Sequence, residues 1–103
     1  MSHAIVMMYD APSDRAFEAW MHGPHYDEVL ATPGVTAVQR YEVLDGPADR
    51  RKYVAVIHTT DLEATLAWRN SLEGQRSQQE ANTRGVDNRY GLVCLTIYDS
   101  GGI

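Results

Sequence analysis

The sequence predicts one α+β domain, residues 1–103, with elements in the order β-α-β-β-α-β and four strands in one antiparallel sheet. Three observations carry this. Four stretches alternate their side chains with the two-residue period of strands. The first and third of them are apolar on both faces, as strands in the middle of a covered sheet are. A strand, a polar turn and a helix start also occur twice, first with Asp14…Phe17-Glu18-Ala19-Trp20 and again with Asp61…Leu66-Ala67-Trp68.

The first strand covers residues 3–9. His3, Ile5, Met7 and Tyr9 fall on one face, and Ala4, Val6 and Met8 on the other. Ser13 or Asp14 is placed to cap a helix by accepting hydrogen bonds from its first free amides. Phe17, Trp20 and Met21 then form a buried stripe. Gly23-Pro24 should stop that helix, because Pro24 has no amide donor and clashes with the preceding turn. A second, offset helical piece is expected over 25–31, with Val29 and Leu30 inward.

After the Pro33-Gly34 turn, residues 35–44 form the second strand. Its face with Thr36, Val38, Arg40 and Glu42 is polar and reads as the outside of an edge strand. The third strand, 52–59, puts Tyr53, Ala55 and Ile57 opposite Val54, Val56 and His58. Thr60 and Glu63 have capping-box spacing for a helix continuing through Leu66, Trp68 and Leu72. From Glu73 to Gly85 only Ala81 is apolar, so this run is expected to be a solvated helix extension or a loop, with a lid as a third reading. The last strand is expected over 88–98.

Nine basic against fourteen acidic residues give a net charge of −5, which argues against a nucleic-acid partner. The single cysteine, Cys94, excludes a disulfide within the chain and reads as a small buried apolar residue. No long apolar run suggests a membrane partner, and the expected location is the cytoplasm. Two helical segments can cover only one face of a four-stranded sheet. The other face would remain apolar, and its simplest cover is the same face of a second copy, so a homodimer is expected.

Residues 20–41 carry a recognisable pattern: Trp20, His25, Pro33-Gly34 and Arg40-Tyr41. This resembles the W…H…PG…RY signature of the EthD-like branch of the dimeric α+β barrel superfamily. The resemblance implies a ferredoxin-like fold, two sheets meeting in a dimeric α+β barrel, and a pocket in each protomer between helices and sheet. It implies no single reaction, since the superfamily includes cyclases, isomerases, lyases, cofactor-free monooxygenases and haem-degrading enzymes. Haem-degrading members carry an Asn on the first strand, where this chain has Met7, and a late histidine ligand that residues 73–85 lack. A plant polyketide cyclase of the superfamily has pocket histidines. His3 could match one of them, whereas the third-strand position is Tyr53 here.

Among the candidate residues, His25 stands first. At a helix start, the dipole would lower its pKa and leave a neutral general base; the competing reading is a histidine that caps or packs at a helix break. His3 is a second acid–base candidate if it shares the pocket face, and otherwise a half-exposed terminal residue. His22 and His25 are three apart, but the Gly23-Pro24 break and the lack of a third ligand argue against a metal. Tyr9, Tyr41 and Tyr53 could each donate to an oxyanion or simply hydrogen-bond a neighbour. Arg40 reads as an edge-strand charge near Glu42 or as a carboxylate holder. Phe17, Trp20 and Trp68 are core residues that would favour a flat ligand where they reach the pocket, beside Ile5 and Met7.

The sequence therefore points to a cofactor-independent lyase, isomerase or cyclase acting on a small hydrophobic or aromatic carbonyl compound. His25 and His3 would move protons, and Tyr41 or Tyr53 would steady the oxyanion. A non-catalytic metabolite-binding protein and a cofactor-free monooxygenase are the alternatives. No G-x-G-x-x-G comes after the first strand, so no nucleotide cofactor is expected.

Overall fold

A computed structural model describes residues 2–101. Strand β1 (His3–Asp10) leads into helix α1 (Arg15–Trp20), a π-helical turn (Met21–His25) and helix α2 (Tyr26–Leu30). Next come strands β2 (Val35–Glu42) and β3 (Tyr53–Thr59), then helices α3 (Leu62–Arg69) and α4 (Leu72–Thr83), and strand β4 (Asp87–Leu95). The sheet is antiparallel in the order β2-β3-β1-β4, so the two strands that are apolar on both faces take the centre. This is the ferredoxin-like α+β arrangement.

Registers fix which residues look toward the helices. Ile5 pairs with Ile57 and Val93, Met7 with Ala55 and Gly91, and Tyr9 with Tyr53. Directly paired residues share a face. The core forms there from Tyr9, Phe17, Trp20, Met21, Tyr53, Ala55, Ala81 and Val86, all buried. Val6, Met8, Val54 and Val56 point the other way and stay half-exposed. Tyr41, Tyr90 and Leu92 lie on that same open face, 51%, 45% and 48% exposed.

The first helical layer departs from expectation at its proline. Asp14 caps α1 by accepting from the Phe17 amide at 2.9 Å. Pro24 then lies inside the π turn, and the chain stays helical on both sides of it. The wider turn relieves the clash that a proline ring makes with the preceding carbonyl of an α-helix, so Gly23-Pro24 does not end the helix. The extra residue also rotates helix α2 relative to α1: Val29 looks inward, whereas Leu30 is 48% exposed and not inward as expected.

Arg40 is the second departure. It pairs with Ala55 and so lies on the helix side of β2, with its side chain only 8% exposed. Nη1 donates to Glu18 Oε2 of α1 at 2.7 Å, and Nε donates to the Tyr9 hydroxyl at 2.8 Å. The guanidinium carbon lies 4.2 Å from the Tyr53 ring centre. The polar face of β2 is therefore turned inward, and the partner of Arg40 is Glu18, not a group near Glu42.

Asp61, not Thr60, caps α3, accepting from the Ala64 amide at 3.1 Å. The hydroxyls of Thr59 and Thr65 lie 2.7 Å apart, and Thr65 also donates to the Pro33 carbonyl at 2.8 Å. This ties the Pro33-Gly34 turn to the β3–α3 junction. Gly34 has φ +87°, and a Cβ there would stand 2.8 Å from the Asp61 carbonyl oxygen.

The run after Leu72 is a regular twelve-residue helix rather than a loop. Its buried stripe is Gly74, Ser77 and Ala81. Small residues let its backbone come close, which a search for large apolar side chains misses. Leu72, expected on the inner stripe, is 79% exposed. Strand β4 ends at Leu95 rather than Tyr98, leaving Ile97 and Tyr98 91% and 84% exposed.

Three substitutions test this packing. A Cβ on Gly74 would stand 2.2 Å from the Trp68 carbonyl oxygen and 2.6 Å from that of Arg69, both backbone atoms. Gly74→Ala should cost about 1–3 kcal/mol, as overpacking does, read from the denaturant midpoint. Gly23→Ala, with nothing within 4 Å of its Cβ, should be neutral or stabilising. Arg40→Ala strands the Tyr9 hydroxyl and removes the partner of Glu18. Glu18 keeps 30% exposure and can rehydrate, so the loss should fall near the low end of about 3–5 kcal/mol, measured by urea unfolding. An unchanged midpoint would remove Arg40 from the core.

Candidate functional site

A cavity of about 300 Å³ lies between the helix side of the sheet and the four helices. This is the lower end of small-molecule pockets. Ile5, Met7 and Tyr9 from β1 and Ala55 and Ile57 from β3 form its floor. Met21, His25, Tyr26 and Val29 form one wall, and Thr65, Trp68, Gly74, Ser77 and Ala81 line it from α3 and α4. Arg89 and Gly91 line it from the edge strand. They are half-exposed and exposed respectively, so the cavity meets solvent there. Residues 73–83 thus form a helical roof.

The cavity is mostly apolar; Tyr9, His25, Tyr26 and Arg89 are among its polar groups, and Thr32, Thr65, Arg69, Ser77 and Gln78 lie elsewhere along the lining. The Tyr9 hydroxyl oxygen accepts from Arg40, which leaves its own proton free to donate elsewhere. The Tyr26 hydroxyl is buried with no hydrogen-bond partner among the described residues. Burial, with the Tyr9 hydroxyl nearby, pushes the Tyr26 phenol strongly upward, so it stays protonated. His25 stacks on Trp20 with ring centres 4.7 Å apart and packs against Tyr26 at 5.7 Å. Burial chiefly, with Arg89 adding to it, pushes the imidazole below its usual range, while Glu28 and Glu80 pull the other way. His25 is therefore neutral at pH 7. Burial, not a helix start, is the main cause, because the helix runs through this position without a break. Burial also lowers the proton affinity of Arg89, and the Tyr9 hydroxyl offsets part of that.

Of the residues singled out in the sequence, Ile5, Met7, Tyr9, His25 and Trp68 line this cavity. Phe17 and Trp20 are buried beside it, with ring centres 5.8 Å apart. Tyr53 faces the helix side but stacks on Tyr9 at 5.9 Å and under Arg40, and it does not line the cavity. Arg40 holds Tyr9 from behind and does not line the cavity; its Nη2 is buried without a hydrogen-bond partner among the described residues.

Two placements correct the expectation for a single protomer. Tyr41 is on the open face of the sheet, because strand alternation puts it opposite Arg40. His3 is on the helix-side face but at the far end of β1 from Tyr9, outside the cavity lining, with its Nδ1 buried and unpartnered. His22 turns away from His25, to Glu18 at 3.4 Å and Arg40 at 3.2 Å. Among the described residues no three His, Cys, Asp or Glu side chains gather as a metal site would require. Among the same residues no helix is long and apolar enough to cross a membrane.

Tyr26 and Arg89 were not anticipated. The signal for Tyr26 is its place directly after His25 at the end of the π turn. The signal for Arg89 is Gly91 two residues on, since a glycine inside a strand marks a close approach. A Cβ on Gly91 would lie 2.7 Å from the Met7 sulfur.

No family model matches the sequence, and no curated protein sequence is similar enough to count as a match. Solved structures do match it. SnoaB, a cofactor-independent oxygenase from Streptomyces nogalater, superposes with TM-score 0.74 at 10% identity over 97% of both chains. An ethyl tert-butyl ether D (EthD) family protein from Bacillus halodurans gives 0.68 at 16% identity, covering 94% of this chain and all of the other. A dimeric ferredoxin-like protein of unknown function from Jannaschia gives 0.65 at 18%, covering 93% and 100%. These likenesses, all at 18% identity or less, show that the chain has the ferredoxin-like α+β fold.

Proposed function

We propose that the protein is a cofactor-independent enzyme that removes a proton from a small hydrophobic or aromatic carbonyl compound held in this cavity. The observation that carries the reading is a half-buried imidazole, His25, packed 5.7 Å from the ring of Tyr26, whose hydroxyl has no hydrogen-bond partner among the described residues, in a mostly apolar cavity. His25 takes a proton from the carbon next to the carbonyl. The electron pair moves onto the carbonyl oxygen, where the protonated Tyr26 hydroxyl meets the developing charge. Tyr9 would serve as a second donor, its oxygen already engaged by Arg40. Return of the proton to another carbon completes an isomerisation, and attack of the carbanion on a second carbonyl completes a cyclisation. His3, Tyr41 and Tyr53 take no direct part in this scheme.

A second reading rests on the likeness to SnoaB, named as a cofactor-independent oxygenase. The same deprotonated substrate would react with oxygen instead of being reprotonated. The first step is shared, so both readings place His25 in the same role.

Exchange of the α-protons of 2-tetralone and anthrone in deuterated buffer, monitored by NMR, tests that step. His25→Gln should lower the exchange rate about 10²–10⁴-fold, the usual contribution of a positioned base. The wild-type rate should stay flat through pH 7 and fall only below the ordinary histidine value of about 6.5, because the imidazole must be neutral to act and its pKa is lowered. Exchange unaltered in His25→Gln, or no exchange with either compound, would end this reading. Oxygen uptake with anthrone would select the oxygenase branch.

The open sheet face supports a homodimer as the working form. Sedimentation at micromolar concentration should give twice the protomer mass. Leu92→Arg, which places a charge on that face, should shift the protein toward monomer or out of solution. A wild-type monomer under those conditions would refute the homodimer.

A further inference from the structure

Three groups able to donate hydrogen bonds, Tyr9, Tyr26 and Arg89, line the cavity beside His25. The Tyr9 hydroxyl oxygen accepts from Arg40 Nε at 2.8 Å, and its proton is open toward the cavity. The Tyr26 hydroxyl is buried near the Tyr9 hydroxyl and has no hydrogen-bond partner of good geometry among the described residues. Among the described residues the Arg89 guanidinium makes no ion pair and no side-chain hydrogen bond, although it lines the cavity and is half-buried. The neighbouring acids are engaged elsewhere: Glu18 with Arg40, Glu80 with Arg84 at 3.3 Å, and Asp10 with Asn88 at 2.8 Å and the Lys52 amide. A partly desolvated cation costs free energy until an anion or acceptor meets it.

The rest of the lining is mixed: Ile5, Ile57, Val29 and Trp68 are apolar, and Thr32, Thr65, Arg69, Ser77 and Gln78 are polar. Tyr9 and Ile5 are four residues apart on β1, about 13 Å along the strand. Over that length the floor changes from hydroxyls to Ile5 and Ile57, and Val29 and Trp68 stand above it. Arg89 stands where the cavity meets solvent.

We propose that Arg89 is a carboxylate-binding residue at the cavity mouth, so that the cavity holds hydrophobic, ring-containing acids more tightly than neutral molecules of the same shape. The carboxylate is met by the guanidinium fork with help from the Tyr9 or Tyr26 hydroxyl, and the ring system lies over Ile5 and Ile57. This rests on the proton-abstraction reading and deepens it by naming the substrate class as carbonyl compounds that also bear a carboxylate.

Binding of 2-naphthoate and of 2-acetylnaphthalene, its uncharged analogue of similar shape, tests this by calorimetry on the wild-type protein. Naphthoate should bind at least tenfold more tightly, and its affinity should fall as salt is raised. Arg89→Gln should weaken naphthoate tenfold or more and leave acetylnaphthalene unchanged, which also shows that the variant still folds. Tyr26→Phe should weaken naphthoate by a smaller factor. Equal affinity for the two probes, or a naphthoate affinity indifferent to Arg89→Gln, overturns the assignment. If His25-dependent proton exchange persists in that case, only the carboxylate is refuted. Binding of neither probe overturns the assignment, and its combination with absent exchange overturns the enzymatic reading as well.

Discussion

Arg40 sets the position of almost everything around the cavity. A guanidinium that is 8% exposed on the helix side of an edge strand needs partners, and each one constrains a different element. Glu18 brings α1 down onto β2. The Tyr9 hydroxyl is turned so that its oxygen points at Nε. The Tyr53 ring fills the space against the guanidinium face. Replacing such a group with apolar side chains of equal volume is often neutral for stability. Its value here is that it admits few alternatives: Glu18 ties α1 to β2, and the Tyr9 hydroxyl, accepting from Nε, keeps its proton for another acceptor.

The π turn converts that register into a site. In a regular helix each residue advances about 100°, so one extra residue per turn rotates everything downstream by roughly that amount. Starting from an α1 held by Glu18 and Arg40, the turn carries His25 onto Trp20 and Tyr26 toward Tyr9, and brings Val29 to the cavity wall. Pro24 helps impose the turn, because it has no amide to give to an α-helical ladder. The residue read from the sequence as a helix stop therefore acts as the device that aims the helix.

The sheet was legible because strands repeat every two residues and two of these strands are apolar on both faces. That alone placed β1 and β3 at the centre and put Ile5, Met7 and Tyr9 together. His25 and Trp68 also reached the cavity as expected. The misplaced residues share a physical cause: position was inferred from side-chain character. Arg40 was put outside because it is charged, yet its charge is neutralised across the sheet by a helix residue 22 positions away. Helix α4 looked solvated because its contact stripe is Gly74, Ser77 and Ala81. Tyr41 is a candidate for its phenol alone, and with Arg40 facing the helices alternation sends it to the open face. Placing Tyr26 requires knowing that the helix widens at Pro24, which no local pattern in the sequence announces.

The same alternation links the two faces of the sheet. Tyr9 and Met8, or Tyr53 and Val54, are adjacent on one backbone and point in opposite directions. The floor of the cavity is thus only as rigid as the strands that carry it, and on the far side those strands present half-exposed Val6, Met8, Val54 and Val56. A second protomer packed there would contribute no side chain to the chemistry around His25, since Tyr41 and His58 face away from it. It would hold β1 and β3 flat, and through them the spacing between the Tyr9 hydroxyl and the helix wall. A dimer of this kind acts on the site through the backbone of the central strands, so breaking it should loosen the Tyr9 part of the cavity before it touches the part that Trp68 and Val29 cover.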